Sequence, residues 1–250
     1  MQATTEIRPD TAALRLRRKI DLVNPPFGDA CGRIVHHPRI VEVFPQYLIR
    51  THAIIRTTVP LMEAASERAR AMSGADAVAA GVATYLERHV EEERHHDDWL
   101  LDDLELMEID RAAVLNRIPS STIASLAGSQ YYWALHCHPV AMLGYLAFME
   151  GFPPSNALIE DLIRRTGFIR EAFRTLAEHG ELDIGHRDEL DELIDSLPLT
   201  PDHEILLGLS AISTAELLTR SLDEVLEMFP APRAAEVSSP PRPGTRSSSP

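Results

Sequence analysis

Almost every segment of this chain that carries an apolar period shows the helical one, and no alternating run bounded by turn residues reads as a hairpin. An all-α fold is expected, with helices over residues 10–23, 38–72, 76–107, 120–137, 139–151, 155–165, 167–196 and 201–229. The helix opening near Asp76 has Val78, Val82, Tyr85 and Leu86 as its apolar positions, and later Trp99, Leu100 and Leu104. Pro153-Pro154 ends one helix, and Thr200-Pro201-Asp202 supplies the cap and first turn of the last. Length supports one large domain: 250 residues give ample material for a continuous core. The division expected is an N-terminal extension with a first helix over 1–34, a main helical domain over 35–229, and a Pro/Ser-rich tail over 230–250 that lacks any core-forming pattern.

Charge and cysteine usage narrow the functional classes. A formal net charge of −14, with no basic cluster, argues against nucleic acid as a partner. Cys31 and Cys137 are the only cysteines, too few for a disulfide framework. The N-terminal residues contain no apolar stretch of signal-peptide length, and the strongest apolar run, Val140 to Met149, is about half of a bilayer span. A cytoplasmic protein with no membrane partner is the expectation.

Three segments carry metal-ligand chemistry. In His89-Val-Glu-Glu-Glu-Arg-His-His96, residues three or four apart share a helix face, so Glu93 and His96 can serve one metal or two adjacent ones. Glu92 and His95 form a second such pair about 100° around the helix, and spacing alone leaves the register open. The second segment ends in Glu150, at the C-terminus of a helix apolar nearly all round. A carboxylate there is opposed by burial and by the helix dipole, and a cation would compensate both. In the third segment, His179, Asp183 and His186 fall at i, i+4 and i+7, one stripe of a helix. Two imidazoles and a carboxylate in this register suit ferrous iron or manganese, and zinc less specifically. The six residues give three carboxylates and three imidazoles, which two divalent ions would leave at about +1. His89 is open to a supporting or a surface role, and His136 and His138, flanking Cys137, read more simply as structural histidines.

With these residues in their order, the chain resembles the heme-oxygenase-like di-iron oxidases and oxygenases, the iron-containing redox enzymes. The resemblance rests on Glu92-Glu93-Arg-His-His96-Asp-Asp-Trp99, on His138 through Glu150-Gly, and on His179-x3-Asp183-x2-His186, and covers most of residues 35–228. Alignment of the step at His96-Asp97-Asp98-Trp99 selects Glu93 and His96 over Glu92 and His95. An additional acidic ligand used by some members is not carried over, since Leu86 stands seven residues before Glu93. The resemblance implies a seven-helix heme-oxygenase-like bundle without haem, often a homodimer. It implies two Fe(II) per chain held by Glu93, His96, Glu150, His179, Asp183 and His186, dioxygen as co-substrate, and an external electron donor as a compatible partner. The substrate implied is a small amino-acid-like or fatty-acid-like molecule that is desaturated, cleaved, decarboxylated or N-oxygenated. Two other readings share the helical pattern: a thiaminase-like hydrolase, for which Cys137 is the one plausible nucleophile, and a non-catalytic metal-binding bundle. Against the second, ferritin-like sites usually repeat Glu-x-x-His on separate helices, and here His-x3-Asp-x2-His stands in place of the repeat.

Overall fold

A computed structural model describes residues 10–230. Among these the chain is helical, with ten α-helices, one 3₁₀ turn and no strand. In order they are α1 (Ala12–Val35), α2 (Ile40–Met72), α3 (Ala77–Glu93), α4 (His96–Leu106), α5 (Arg111–Leu115), α6 (Ser121–His136), α7 (Ala141–Met149) and α8 (Asn156–Thr166). The 3₁₀ turn Arg170–Phe173 leads into α9 (Arg174–Ser196), and α10 (Pro201–Glu227) closes the bundle. The expected 230–250 tail lies, from residue 231, outside the described residues.

Most helix starts are written in the local sequence. Thr11, Asp76, Asp110, Ser120, Ser155 and Thr200 each accept a backbone N–H of the first turn of the helix they precede. Packing then selects the faces. The long helices α1 and α10 pack along each other, α3 packs on α2, and α7 is enclosed, with α10 its most extensive neighbour. Gly144 makes that last crossing possible, because a Cβ there would lie 2.3 Å from the Leu207 carbonyl oxygen. The main core runs from Leu16 and Ile20 through Met62, Val82, Leu86, Leu143 and Leu146 to Leu190 and Ala211. A second cluster, including Phe44, Leu48, Leu100, Leu104, Leu162 and Phe173, closes the end beneath α4 and α8. By length and composition α10 could cross a membrane, yet half of its most apolar window is buried inside the bundle, as in a core helix.

Three elements depart from the sequence expectation. The first helix does not stop at residue 23; it continues through Pro25 and Pro26 to Val35. Each proline removes a backbone donor and clashes with the preceding turn. The helix persists because Phe27, Ala30 and Ile34 beyond the prolines pack with Val43, Leu222 and Val225. The segment 76–107 is two helices rather than one, broken at Arg94-His95. The third departure is α5, too short to show a period of its own. It is tied down instead by Val114, buried in the second cluster.

Candidate metal centre

The break between α3 and α4 is a turn. Arg94 has φ −59 and ψ 133, and His95 has φ 70 and ψ 8, the torsions of a type II turn with its left-handed residue at the third position. Glu93 and His96 are thus its first and last residues, not two residues on one helical face. Their side chains still meet: Glu93 Oε2 lies 3.0 Å from His96 Nδ1, and both side chains are at least nine-tenths buried. The same turn sends His95 to the surface, where its Nδ1 lies 3.2 Å from Asp98. Glu92 and His95 are therefore not brought together.

From α9, His179 enters beside His96, their ring centroids 5.0 Å apart. Its Nδ1–H donates to the Thr175 carbonyl at 2.8 Å, which leaves the Nε2 lone pair free, the tautomer a metal requires. The buried Asp103 anchors this start of α9 by accepting the Thr175 N–H at 2.9 Å. Two turns later, His186 Nδ1 lies 3.6 Å from Glu93 Oε1. Glu150 caps α7, is 7% exposed, and accepts a hydrogen bond from His89 Nε2 at 2.9 Å. Arg17 steadies this end of α7 by donating to the Ala147 carbonyl at 2.6 Å while paired with Asp191.

Electrostatics mark the cluster as unusual. Burial, reinforced by Glu150 and Glu93 and opposed by His89, pushes the Asp183 carboxyl up to about 8. Burial also works against charge on His89, but Glu150, Glu93 and Glu92 outweigh it and lift the imidazole to about 8. Glu93 is pushed up by burial, yet the neighbouring His96, His89 and His179 hold it below the usual carboxylate range. Burial lowers His179. Two buried atoms of the cluster, His186 Nδ1 and Glu150 Oε2, have no hydrogen-bond partner, and His96 Nδ1, though 3.0 Å from Glu93 Oε2, is not aligned to bond it. Buried polar atoms are seldom orphaned, and such atoms on neighbouring ligand-type side chains are what bound cations would satisfy. The residues present therefore fit a metal with nitrogen and oxygen ligands.

One wall of the centre opens on a cavity of about 210 Å³, to which Glu93, Glu150, His179 and Asp183 contribute. The remaining lining is mainly apolar, with Leu48, Ile54, Leu100, Leu146 and Phe148 prominent, and contains no lysine or arginine. Other residues weighed in the sequence lie elsewhere. Cys137 is exposed and lines a separate shallow cleft with His138 and His203. The residue that sequence reasoning left unassigned is His89. It is fully buried, stacked on Tyr85 and edge-on to His186. Its signal was the spacing, since His89 and Glu93 are i and i+4 on α3.

No curated protein shows significant sequence similarity to the chain. Among solved structures, a heme oxygenase-like domain of unknown function from Shewanella denitrificans superposes with a TM-score of 0.70, at 16% identity over 86% of this chain and 90% of that one. A TenA homolog from Pseudomonas syringae superposes with a TM-score of 0.60, at 13% identity over 83% of this chain and 92% of that one. These likenesses establish an all-helical, heme oxygenase-like fold. With a family model matching residues 34–216, the chain belongs to the family of iron-containing redox enzymes.

Proposed function

We propose that the protein is a non-haem di-iron oxidase or oxygenase that uses dioxygen to oxidise a small amino-acid-like or fatty-acid-like substrate. The observation that carries this reading is the set of orphaned ligand atoms on His96, His186 and Glu150, buried beside an apolar cavity. When bound, two ferrous ions would supply the electrons and the coordination sites for dioxygen chemistry. Glu93, His96, Glu150, His179, Asp183 and His186 would hold them. Asp183, protonated near neutral pH before loading, would release its proton as it becomes a ligand. The apolar lining would keep water from the reacting atoms and accept an aliphatic body. With no lysine or arginine in that lining, an acidic head group would find its countercharge only at the metals. A homodimer and an external electron donor belong to the same reading.

A thiol hydrolase is disfavoured by position, because Cys137 lies outside the cavity and burial pushes the Cys31 thiol up to about 11, away from its reactive form. The test is to load the protein with ferrous iron anaerobically, then admit air with a panel of amino acids and fatty acids. Substrate-dependent oxygen uptake with a transient visible absorption is expected. Iron near two per chain with no oxygen reactivity toward any of the panel would instead indicate storage, and no iron at all would remove the reading.

A further inference from the structure

Two triads of identical composition stand side by side in this centre. Glu93, His96 and His179 offer ligand atoms that all lie within 4.8 Å of one another, and so do His89, Glu92 and His186. The triads touch through Glu93 Oε1 and His186 Nδ1, 3.6 Å apart, and through the His89 and His186 rings, 4.7 Å between centroids. We infer that His89 and Glu92, together with His186, hold the second metal, an assignment that rests on the proposed two-metal centre and adds two ligands to it.

The surroundings of His89 carry the argument. Both its ring nitrogens face carboxylate oxygens, Glu92 Oε2 at 3.3 Å and Glu150 Oε1 at 2.9 Å, and no backbone N–H claims either. A third cluster, Asp76, His138 and His203, is equally tight but wired differently. There His138 Nδ1 accepts the Val140 N–H and His203 Nδ1 accepts the Thr200 N–H. Each Nε2 must then carry the proton, so those imidazoles act as helix caps and have no lone pair left for a metal. His89 has no such obligation, although it is fully buried.

Charge and access agree with the assignment. Adding Glu92 to Glu93, Glu150 and Asp183 makes four carboxylates, which balance two divalent cations. Glu92 lines an open cleft of about 610 Å³ that shares no lining residue with the apolar cavity, with His96 and His186 also in its wall. Glu178, Glu181 and Glu189 line the same cleft, Arg94 being its one basic residue, so it favours a hydrated cation. Arg88 Nε, 3.5 Å from Glu92 Oε1, is the neighbouring charge a metal must compete with, and Arg88 has Glu189 as a second partner. Metals and an apolar substrate would therefore reach the centre through different openings.

The test compares the full chain with Glu92→Gln, which keeps size and sits at a half-exposed position where folding is undisturbed. Each is titrated anaerobically with Fe(II), and its iron is counted after desalting. Mn(II)-loaded samples are examined by electron paramagnetic resonance. The wild type should bind two metals and show an exchange-coupled Mn(II) pair. The variant should retain one, bind the second at least about tenfold more weakly, and show uncoupled Mn(II). His89→Gln should behave alike, with circular dichroism reporting its fold. Two metals at unchanged affinity in Glu92→Gln, beside a wild type that also binds two, would overturn this assignment alone. A wild type that binds none would overturn the two-metal reading and this assignment with it.

Discussion

Asp183→Asn should make the metal-free protein more stable while removing one of the proposed metal ligands. Asp183 is 6% exposed, and burial, with Glu150 and Glu93 adding to it, raises its carboxyl from an ordinary 3.8 to about 8. The sign follows from the raised value: the unfolded chain releases this proton near pH 4, whereas the native state keeps it until about pH 8. Native stability is therefore full in acid, falls as the pH rises between those values, and levels off above. Near neutrality the gap is roughly three pH units, at about 1.4 kcal/mol each an upper bound of about 4 kcal/mol. Asparagine cannot ionise, so the variant should recover about 2–4 kcal/mol, and for a chain of this size the midpoint should rise by roughly 5–15 °C. Thermal melts followed by circular dichroism, in chelator, at several pH values between about 4 and 9 measure the difference. It should be small at the acid end and grow toward neutrality, and ferrous iron should then stabilise the wild type but much less the variant. A variant no more stable than wild type at neutral pH, or a difference independent of pH, would refute the reasoning.

Other substitutions test other parts of the centre. His179→Ala and Glu150→Ala should each lose most bound iron and keep a helical circular dichroism spectrum; normal iron in both would remove them from the ligand set. Glu93→Ala should lose metal while His95→Ala keeps it, because the turn at 94–95 sends His95 outward. On α9, Gly185→Ala meets open space and should stabilise the metal-free protein by about 1 kcal/mol, whereas Gly180→Ala places a Cβ 2.6 Å from the Pro154 carbonyl and should destabilise it by about 1–3 kcal/mol. Denaturant titration distinguishes the two signs. Amide hydrogen exchange over residues 176–190 should slow when ferrous iron is added anaerobically, and equal protection with and without iron would show that this segment is ordered by packing alone.

The helices were legible because most of them bury one face of a long amphipathic period and begin at a polar capping residue, and both signals are local. The fate of α1 was not, since whether a helix survives Pro25 and Pro26 depends on Val43, Leu222 and Val225, far away in the chain. The break at Arg94-His95 carries neither glycine nor proline, so nothing local announces it. The Glu-x-x-His spacing nevertheless pointed to two side chains that do meet, though through a turn and not a helix face. Glu150 was conspicuous as an acid ending an apolar helix, and the α9 stripe by its period. His89 had a suggestive spacing but remained ambiguous, because burial decides between a supporting and a surface role, and α3 alone does not reveal which face α9 covers. Arg17, which steadies the end of α7, acts across 130 residues and had no sequence signal.

That Glu93 and His96 sit at the two ends of a turn also bears on how the protein folds. Closing so short a loop costs little chain entropy, so this pair can form early and by itself. His179 and His186 reach it only after more than eighty residues of intervening chain have organised α4 to α8 and docked α9, a late and non-local event. A metal that needs both halves gains its full set of ligands only after the main folding barrier has been crossed. Its stabilisation should then appear almost wholly as slower unfolding, with the folding rate little changed. Stripping the metal would shorten the lifetime of the native state without making the chain harder to fold.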